Sequence, residues 1–415
     1  MRRFRPHRRP APASLAVAFA ALILALGALP PGAFAQTVSF WTQAATDPVV
    51  IDFVRAFEQE SGITVDMRQI SFELDELIVA HAAGASPDVF THGAAALGGI
   101  AATGMMRSLD PYIERWPLAS GVAPQAFESG TYQGRVVALP WRGFAIGALV
   151  YRVDMFAEAG LGEAPSNWEE LAQYGRRLVQ RGEDGRVTRA GLGIPTSGFN
   201  AAFWLRDLTQ VNGIDVYNLA EPFALTDERI VEAATYFADL LFYHRVSDPN
   251  FGGNLVQGTT AMRWSRTGDL QTFMQMQDRA DLLAIAPWPY NRKPAARVAG
   301  DWIAISASTT NDVRAWQLIE YMIDPARHSV MTEARGFVPI YREAAQWDWV
   351  LDRPEVGTLI EIMLERGWPD PPEAKFFDLR ALYTDIMNEI IAQAMPPQVA
   401  LEQGVGRFAA ILRGE

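Results

Sequence analysis

The sequence predicts an α/β fold in two lobes, and three observations carry that expectation. Strand and helix patterns alternate from Val38 to Phe90, and a second α/β section opens near Val136. Periodicity breaks near Pro140 and again over Pro287, Pro289 and Pro294, as expected where a chain passes from one lobe to another and back. With 415 residues, 49% of them apolar, there is enough chain for two or three cores.

In the first section Val38-Ser39-Phe40-Trp41 reads as a strand. Asp47 can cap the following helix, and Pro48 fits its first turn, where a missing N–H costs nothing. Val50, Phe53, Val54 and Phe57 then share one helical face. Gly62 ends the helix, and Ile63, Val65 and Met67 alternate as a second strand. Leu74 to Ala83 suits another helix, Gly84 stops it, and Pro87-Asp88-Val89-Phe90 opens a third strand. This order predicts a mainly parallel sheet, whose ligands sit beyond the carboxyl ends of the strands, after Trp41 and after Phe90.

In the second section Ser166-Asn167-Trp168-Glu169 reads as a capping box with the serine as cap, followed by Leu171, Tyr174 and Leu178. Thr226 can cap a helix carrying Ile230, Ala234, Phe237 and Leu241. A strand returns at Trp302-Ile303-Ala304-Ile305, and the pattern is helical from Val313 to Ile323 and from Pro354 onward. The expected division is a signal peptide over 1–35, a first lobe over 36–141 and 295–338, and a second lobe over 142–294 and 339–415, the last part helical.

Composition excludes several functions. Net charge is −12, and the first 35 residues contain five arginines and no acid, so the rest carries −17. A body that acidic cannot neutralise phosphates, which argues against nucleic acid as a partner. Cysteine is absent, which removes disulfides, thiolate metal sites and thiol nucleophiles. After residue 35 the histidines are His81, His92, His244 and His328, none at zinc-helix spacing, so no metal and no cofactor are expected. There is no phosphate-binding loop and no G-x-S-x-G elbow. Gly191-Leu192-Gly193 lacks the third glycine of a dinucleotide fingerprint and reads as a turn.

The amino terminus reads as an address. Arginines lead into an apolar run from Leu15 to Leu29, then Pro30-Pro31-Gly32 and Ala33-Phe34-Ala35. These are the three parts of a cleavable signal peptide, with Gln36 first after cleavage. No cysteine follows for lipid attachment. The expectation is a periplasmic monomer that is not a lipoprotein.

Binding chemistry is carried by tryptophan. Trp41, Trp141, Trp204, Trp264, Trp288 and Trp302 fall at expected strand ends or in loops near Arg142, Arg263, Asn291 and Asp301. A flat apolar ring beside a charged or amide group suits a sugar, whose C–H face stacks while its hydroxyls hydrogen-bond. Trp168 and Trp316, on helical faces, read as core.

In its motifs the chain resembles the extracellular solute-binding proteins of bacterial carbohydrate importers of the ATP-binding-cassette type, the group that includes maltodextrin-binding proteins. Gly84-Ala85-Ser86-Pro87-Asp88-Val89 is similar to that family's G-x-x-P-D-I/V element, and Gly104-Met105-Met106 with Leu109-Asp110 to its continuation. Gly134-Arg135-Val136 through Pro140, then Val150 to Phe156, resembles G-K-x-x-x-x-P … Y-N-K-D-x-F. Pro165 to Leu171 resembles P-x-T-W-x-E-L, Gly258 to Met262 resembles G-x-A-A-M, and Gly300 to Ser306 the G-G … I-S strand.

The resemblance implies a type II-like periplasmic binding protein whose hinged lobes close on a solute and deliver it to membrane permease subunits. It assigns Asp88 a structural role and suggests an amide contact for Gln43. The maltose contacts do not carry over: His92, Ala95 and Ala96 stand where maltodextrin binders place a tryptophan and then an acid–arginine pair, and the Phe144 region stands where they place a further acid. The expected ligand is another saccharide, polyol or glycoside, held by Trp41, Gln43, His92, Trp141, Arg142, Trp204, Trp264, Trp288, Asp301 and Trp302, without catalysis. One alternative is an anion such as a phosphodiester on Arg142, Arg263 and Arg266. Another is a carbohydrate-active enzyme using two carboxylates.

Overall fold

The computed structural model describes residues 37–71, 74–196, 199–265, 276–369 and 373–415; the signal-peptide reading of 1–35 and Arg266 lie outside them. The first sheet begins with β1 (Thr37–Thr42), in which Val38, Phe40 and Thr42 alternate inward. Helix α1 (Pro48–Ser61) starts as read: the Asp47 carboxylate accepts from the Val49 N–H at 3.0 Å, Pro48 fills the first turn, and Gly62 closes the helix at φ +71°. β2 (Thr64–Gln69), α2 (Asp75–Ala82), β3 (Val89–Gly93) and α3 (Ala94–Ala102) complete the opening alternation. Asp88 ties β3 to β1, accepting from the Ser39 N–H at 2.9 Å and from its hydroxyl at 3.0 Å.

The remaining strands of this sheet come from later chain. β4 (Leu139–Ile146) is followed at once by β5 (Ala148–Arg152), which belongs to the second sheet. That sheet is built with α4 (Trp168–Leu178), β6 (Gln180–Arg181), β7 (Val187–Gly193), α5 (Phe199–Val211), α6 (Glu228–Phe242), β8 (Thr260–Ser265) and β9 (Leu283–Ala286). The chain then returns through β10 (Ala296–Ile305), α7 (Asp312–Met322), α8 (Pro325–Arg335), α9 (Pro354–Arg366) and β11 (Gly367–Pro369), and ends in α10 (Phe376–Ile391) and α11 (Pro397–Arg413). The strand orders are β11-β10-β3-β1-β2, with β4 also paired to β10, and β9-β5-β8-β7-β6.

Several local expectations shift by a residue for a physical reason. Trp168 is the first helical residue of α4, so Asn167 is the cap, accepting from the Glu170 N–H at 2.9 Å. Glu170, not Glu169, reaches back to the Ser166 N–H at 2.7 Å. Asp227 rather than Thr226 caps α6, because the Thr226 hydroxyl is spent on the Phe223 carbonyl. Gly191 is no turn: it lies in β7, where a Cβ would overlap the Gly175 carbonyl of α4, so glycine lets helix and strand meet.

Two cores define the lobes. The first joins Val38, Phe40, Leu139, Trp141, Ile303, Leu318, Ile340, Leu359 and Met363; the second joins Leu149, Leu171, Trp204, Phe237, Met262, Tyr383 and Phe408. The expected boundaries at 141/142 and 338/339 therefore move. β4 stays with the first sheet and the chain crosses at Gly147, while Ile340 to Met363 pack in the first core. The helical return to the second core starts at Phe376, after a strand, β11, that the sequence reading lacked. The crossing near 294/295 falls between Ala295, in the second core, and Ala296, in the first. The Gly147 N–H donates to the Arg297 carbonyl at 2.8 Å, fastening two crossings together.

Register fixes what each sheet presents to the crossings. β10 leaves the crossing at Ala296 and runs antiparallel to β3, so the carboxyl end of β3 lies on the crossing side, with Gly93 opposite Asp301. β5 leaves the crossing at Ala148 and runs antiparallel to β8, which ends with Ser265 opposite Ala148. β7 is parallel to β8, while β5 with β8, β5 with β9 and β6 with β7 are antiparallel, so among the described residues the mainly parallel sheet expected of each lobe is not found in the second. Both lobes thus turn the carboxyl ends of their parallel strands toward the junction, where ligands of such sheets bind.

Candidate functional site

The first-lobe half of the junction is polar. Beyond β1 and β3 the Thr91 hydroxyl lies 2.7 Å from the Thr42 hydroxyl and 2.9 Å from Gln43 Oε1, while Gln43 Nε2 is a buried donor without a partner. Arg142, on β4, donates from Nη1 to Asp301 Oδ2 at 3.1 Å; its Nε is likewise buried and unpartnered. The guanidinium lies near the rings of Trp141 and Phe337, with centroids at 5.9 and 5.6 Å. Burial pushes the Asp301 carboxyl above the ordinary carboxylate range, and Arg142 opposes that shift. His92 is buried beside this group, opposite Trp302 in register.

The second-lobe half is aromatic. A cavity of about 380 Å³ opens between the carboxyl ends of β7 and β8 and the start of α5, lined by Asn200, Trp204, Phe251, Arg263, Trp264 and Ser265 among others. Trp204, Trp264 and Trp288 form an edge-to-face triad with centroid separations of 5.6 to 6.0 Å. Trp288 stands behind the other two, against a small gap near Gly147 and Ala295.

A buried ion pair holds α5 and hence Trp204. Arg206 grips Asp215 with Nε at 3.0 Å from Oδ1 and Nη2 at 2.8 Å from Oδ2. Gln210 Nε2 and the Tyr217 N–H also donate to that carboxylate, so the charge is fully solvated by protein.

Two expected ligand contacts are corrected. Trp204 and Trp264, 2% and 6% exposed, still line the cavity, whereas Trp141 and Trp302, 1% and 2% exposed, do not. The latter two sit within strands covered on both faces rather than at strand ends. Trp141 meets Phe40 edge-on at 6.1 Å, and Trp302 packs with Leu77, Phe90 and Ile100. Trp41 is half-buried under the Arg68 guanidinium, 4.4 Å from its ring. Asn291 is tied to Asn212 and Glu232 instead of flanking a ligand surface. Sequence reading missed Thr42, Thr91, Asn200 and Phe251, whose residue types carry no signal until the strand ends converge. Among the described residues no three His, Asp or Glu side chains cluster as metal ligands, and no helix is long and apolar enough to cross a membrane.

Comparison with known proteins decides the family. The model for "Bacterial extracellular solute-binding protein" matches residues 52–358, about three quarters of the chain. The chain belongs to this family. A Brucella abortus (strain 2308) chain whose name describes it as a binding protein is 21% identical over 406 residues, covering 89% of this chain and 91% of its own. Among solved structures, the sugar-binding protein MalE from Xanthomonas citri superposes with a TM-score of 0.79 at 20% identity, over 91% of this chain and 98% of that one. An ABC transporter solute-binding protein from Thermotoga lettingae bound with alpha-D-tagatose gives 0.75 at 19%, over 91% and 100%. At these identities the likeness is one of fold. The two-lobed α/β architecture of this solute-binding protein is therefore that of the periplasmic binding proteins, as its motifs imply. Both family and neighbours are binding proteins rather than enzymes.

Proposed function

We propose that this solute-binding protein captures a carbohydrate-like solute, a saccharide, polyol or glycoside, between its lobes and hands it unchanged to the permease subunits of an ABC importer. The observation that carries the reading is the pairing of surfaces across the junction. In this reading the edges of Trp204 and Trp264 in the second-lobe cavity supply apolar contact, and Arg142 and Asp301 at the junction end of the first sheet supply a donor and an acceptor. Polyhydroxylated rings have both kinds of surface, which is why stacking and hydrogen bonding recognise them together. The alpha-D-tagatose named for one structural neighbour agrees with this class.

The basic and apolar amino terminus supports export to the periplasm by a cleavable signal peptide, and the lack of cysteine supports release without a lipid anchor. The protein then works as a monomer and catalyses nothing. The test is a ligand screen on the chain from Gln36, following thermal stability and tryptophan fluorescence with sugars, polyols, glycosides, phosphodiesters and polyamines. A ligand at about 100 times its Kd adds roughly 2.7 kcal/mol of stability. The expected result is a neutral sugar or polyol that stabilises the protein and is recovered unchanged. Stabilisation by anions alone, lost in salt, would overturn the reading, as would conversion of an oligosaccharide to product.

A further inference from the structure

We infer that Asp301 is a specificity residue that makes the cleft select uncharged solutes, by cancelling Arg142 where a ligand meets the first lobe. The inference rests on the carbohydrate reading and adds to it the rejection of acidic and basic relatives of the same sugars.

Arg142 alone would make a strong anion site. A guanidinium offers five donors in a planar fork, and this one is partly withdrawn from water between two aromatic rings. Asp301 Oδ2 takes one arm of the fork at 3.1 Å. Its own position is set by β10, which places it opposite Gly93 at the end of β3; the atom nearest to a Cβ built on Gly93 is Asp301 Oδ1, at 3.7 Å. The pair is therefore built from two strands of one sheet and does not depend on a flexible loop.

What remains for a ligand is a mixed and neutral surface. The Arg142 side chain, 20% exposed, keeps donors beyond the one given to Asp301, and the Asp301 carboxylate, 31% exposed, retains acceptor capacity. A hydroxyl both donates and accepts, so it can satisfy either side. A carboxylate or phosphate ligand meets the like charge of Asp301, and an ammonium ligand meets that of Arg142. The net charge of −17 after residue 35 repels anions in the same direction. This takes Arg142 away from the phosphodiester alternative. Arg263, on the facing lobe, is already engaged in interactions of its own.

The experiment compares matched ligands by calorimetry on the wild type, Asp301→Asn and Arg142→Gln. The panel holds glucose, glucuronate and glucosamine; galactose, galacturonate and galactosamine; maltose and maltobionate; and inorganic phosphate. Asp301→Asn is expected to bind at least one acidic member on the order of tenfold tighter than the wild type does, a gain abolished by 0.5 M salt in about the manner of a screened charge. Arg142→Gln is expected to gain similarly for an amino sugar, and it keeps the test alive should Asp301→Asn not fold. A wild type that binds acidic members as tightly as neutral ones would overturn the inference. So would folded variants whose preferences are unchanged. Phosphate, as a bare anion, separates the two readings: a wild type that ignores every neutral sugar sinks the carbohydrate reading, while a phosphate gain in Asp301→Asn alone still sustains the charge switch.

Discussion

The two halves of the junction are built on opposite principles. The first lobe contributes directional groups, the charge-balanced pair of Arg142 and Asp301 and the neutral Gln43, which accepts from the Thr91 hydroxyl. The second contributes three stacked-edge tryptophans with little directional preference. A surface of the first kind decides which hydroxyl pattern and which charge are accepted, and one of the second supplies area without demanding a particular pattern. Their supports differ in the same way. The second lobe holds α5 with a buried ion pair, Arg206 and Asp215, whereas the first buries a neutral histidine, His328, whose Nε2 accepts from the Ile340 N–H at 3.1 Å.

Three perturbations can break or sharpen this contrast. The largest effect is expected from Asp215→Ala, which removes the carboxylate that Arg206 grips in the second core; breaking a buried pair this way costs about 3–5 kcal/mol. Denaturant unfolding should show the loss, and a change below about 1 kcal/mol would mean that the pair is not what secures α5.

Next comes the pair Trp302→Ala and Trp264→Ala. Removing the buried Trp302 should destabilise by about 3–5 kcal/mol through the cavity it leaves. Removing Trp264, a buried member of the second core that also lines the cavity, should destabilise as well and in addition weaken ligand binding by about 1–2 kcal/mol. Unfolding and calorimetry together check the division. A Trp302→Ala protein that folds as well as the wild type but binds poorly would return that residue to the ligand surface.

The smallest effect, per unit of change, comes from pH. Burial lowers the His328 pKa from 6.5 to about 3, so the folded protein keeps it neutral. Between those values the unfolded chain binds one more proton than the folded one, and stability falls by about 1.4 kcal/mol for each unit of pH below 6.5. The stability–pH slope of His328→Gln should be shallower by that amount between pH 6 and 4, and an unchanged slope would assign acid sensitivity to other groups.

By itself the sequence determined the local elements and the fold class. The Asp47-Pro48 start, the Gly62 stop and the inward Val38 and Phe40 arise from neighbours a few residues apart, and they hold in the structure nearly as read. The family motifs likewise lie in short stretches, such as the Asp88 tie to β1. Lobe membership past residue 338 was not legible, because a helical pattern states that a helix has an apolar face but not which core that face joins; Ile340 to Met363 join the first. Nor could composition tell Trp302 from Trp264. Both are tryptophans among charged neighbours, yet the sheet covers Trp302 on both faces and leaves Trp264 beside a cavity. The charge balance of the site was decided only by tertiary structure. Arg142 and Asp301 are 159 residues apart, and strand register alone brings them within hydrogen-bonding distance.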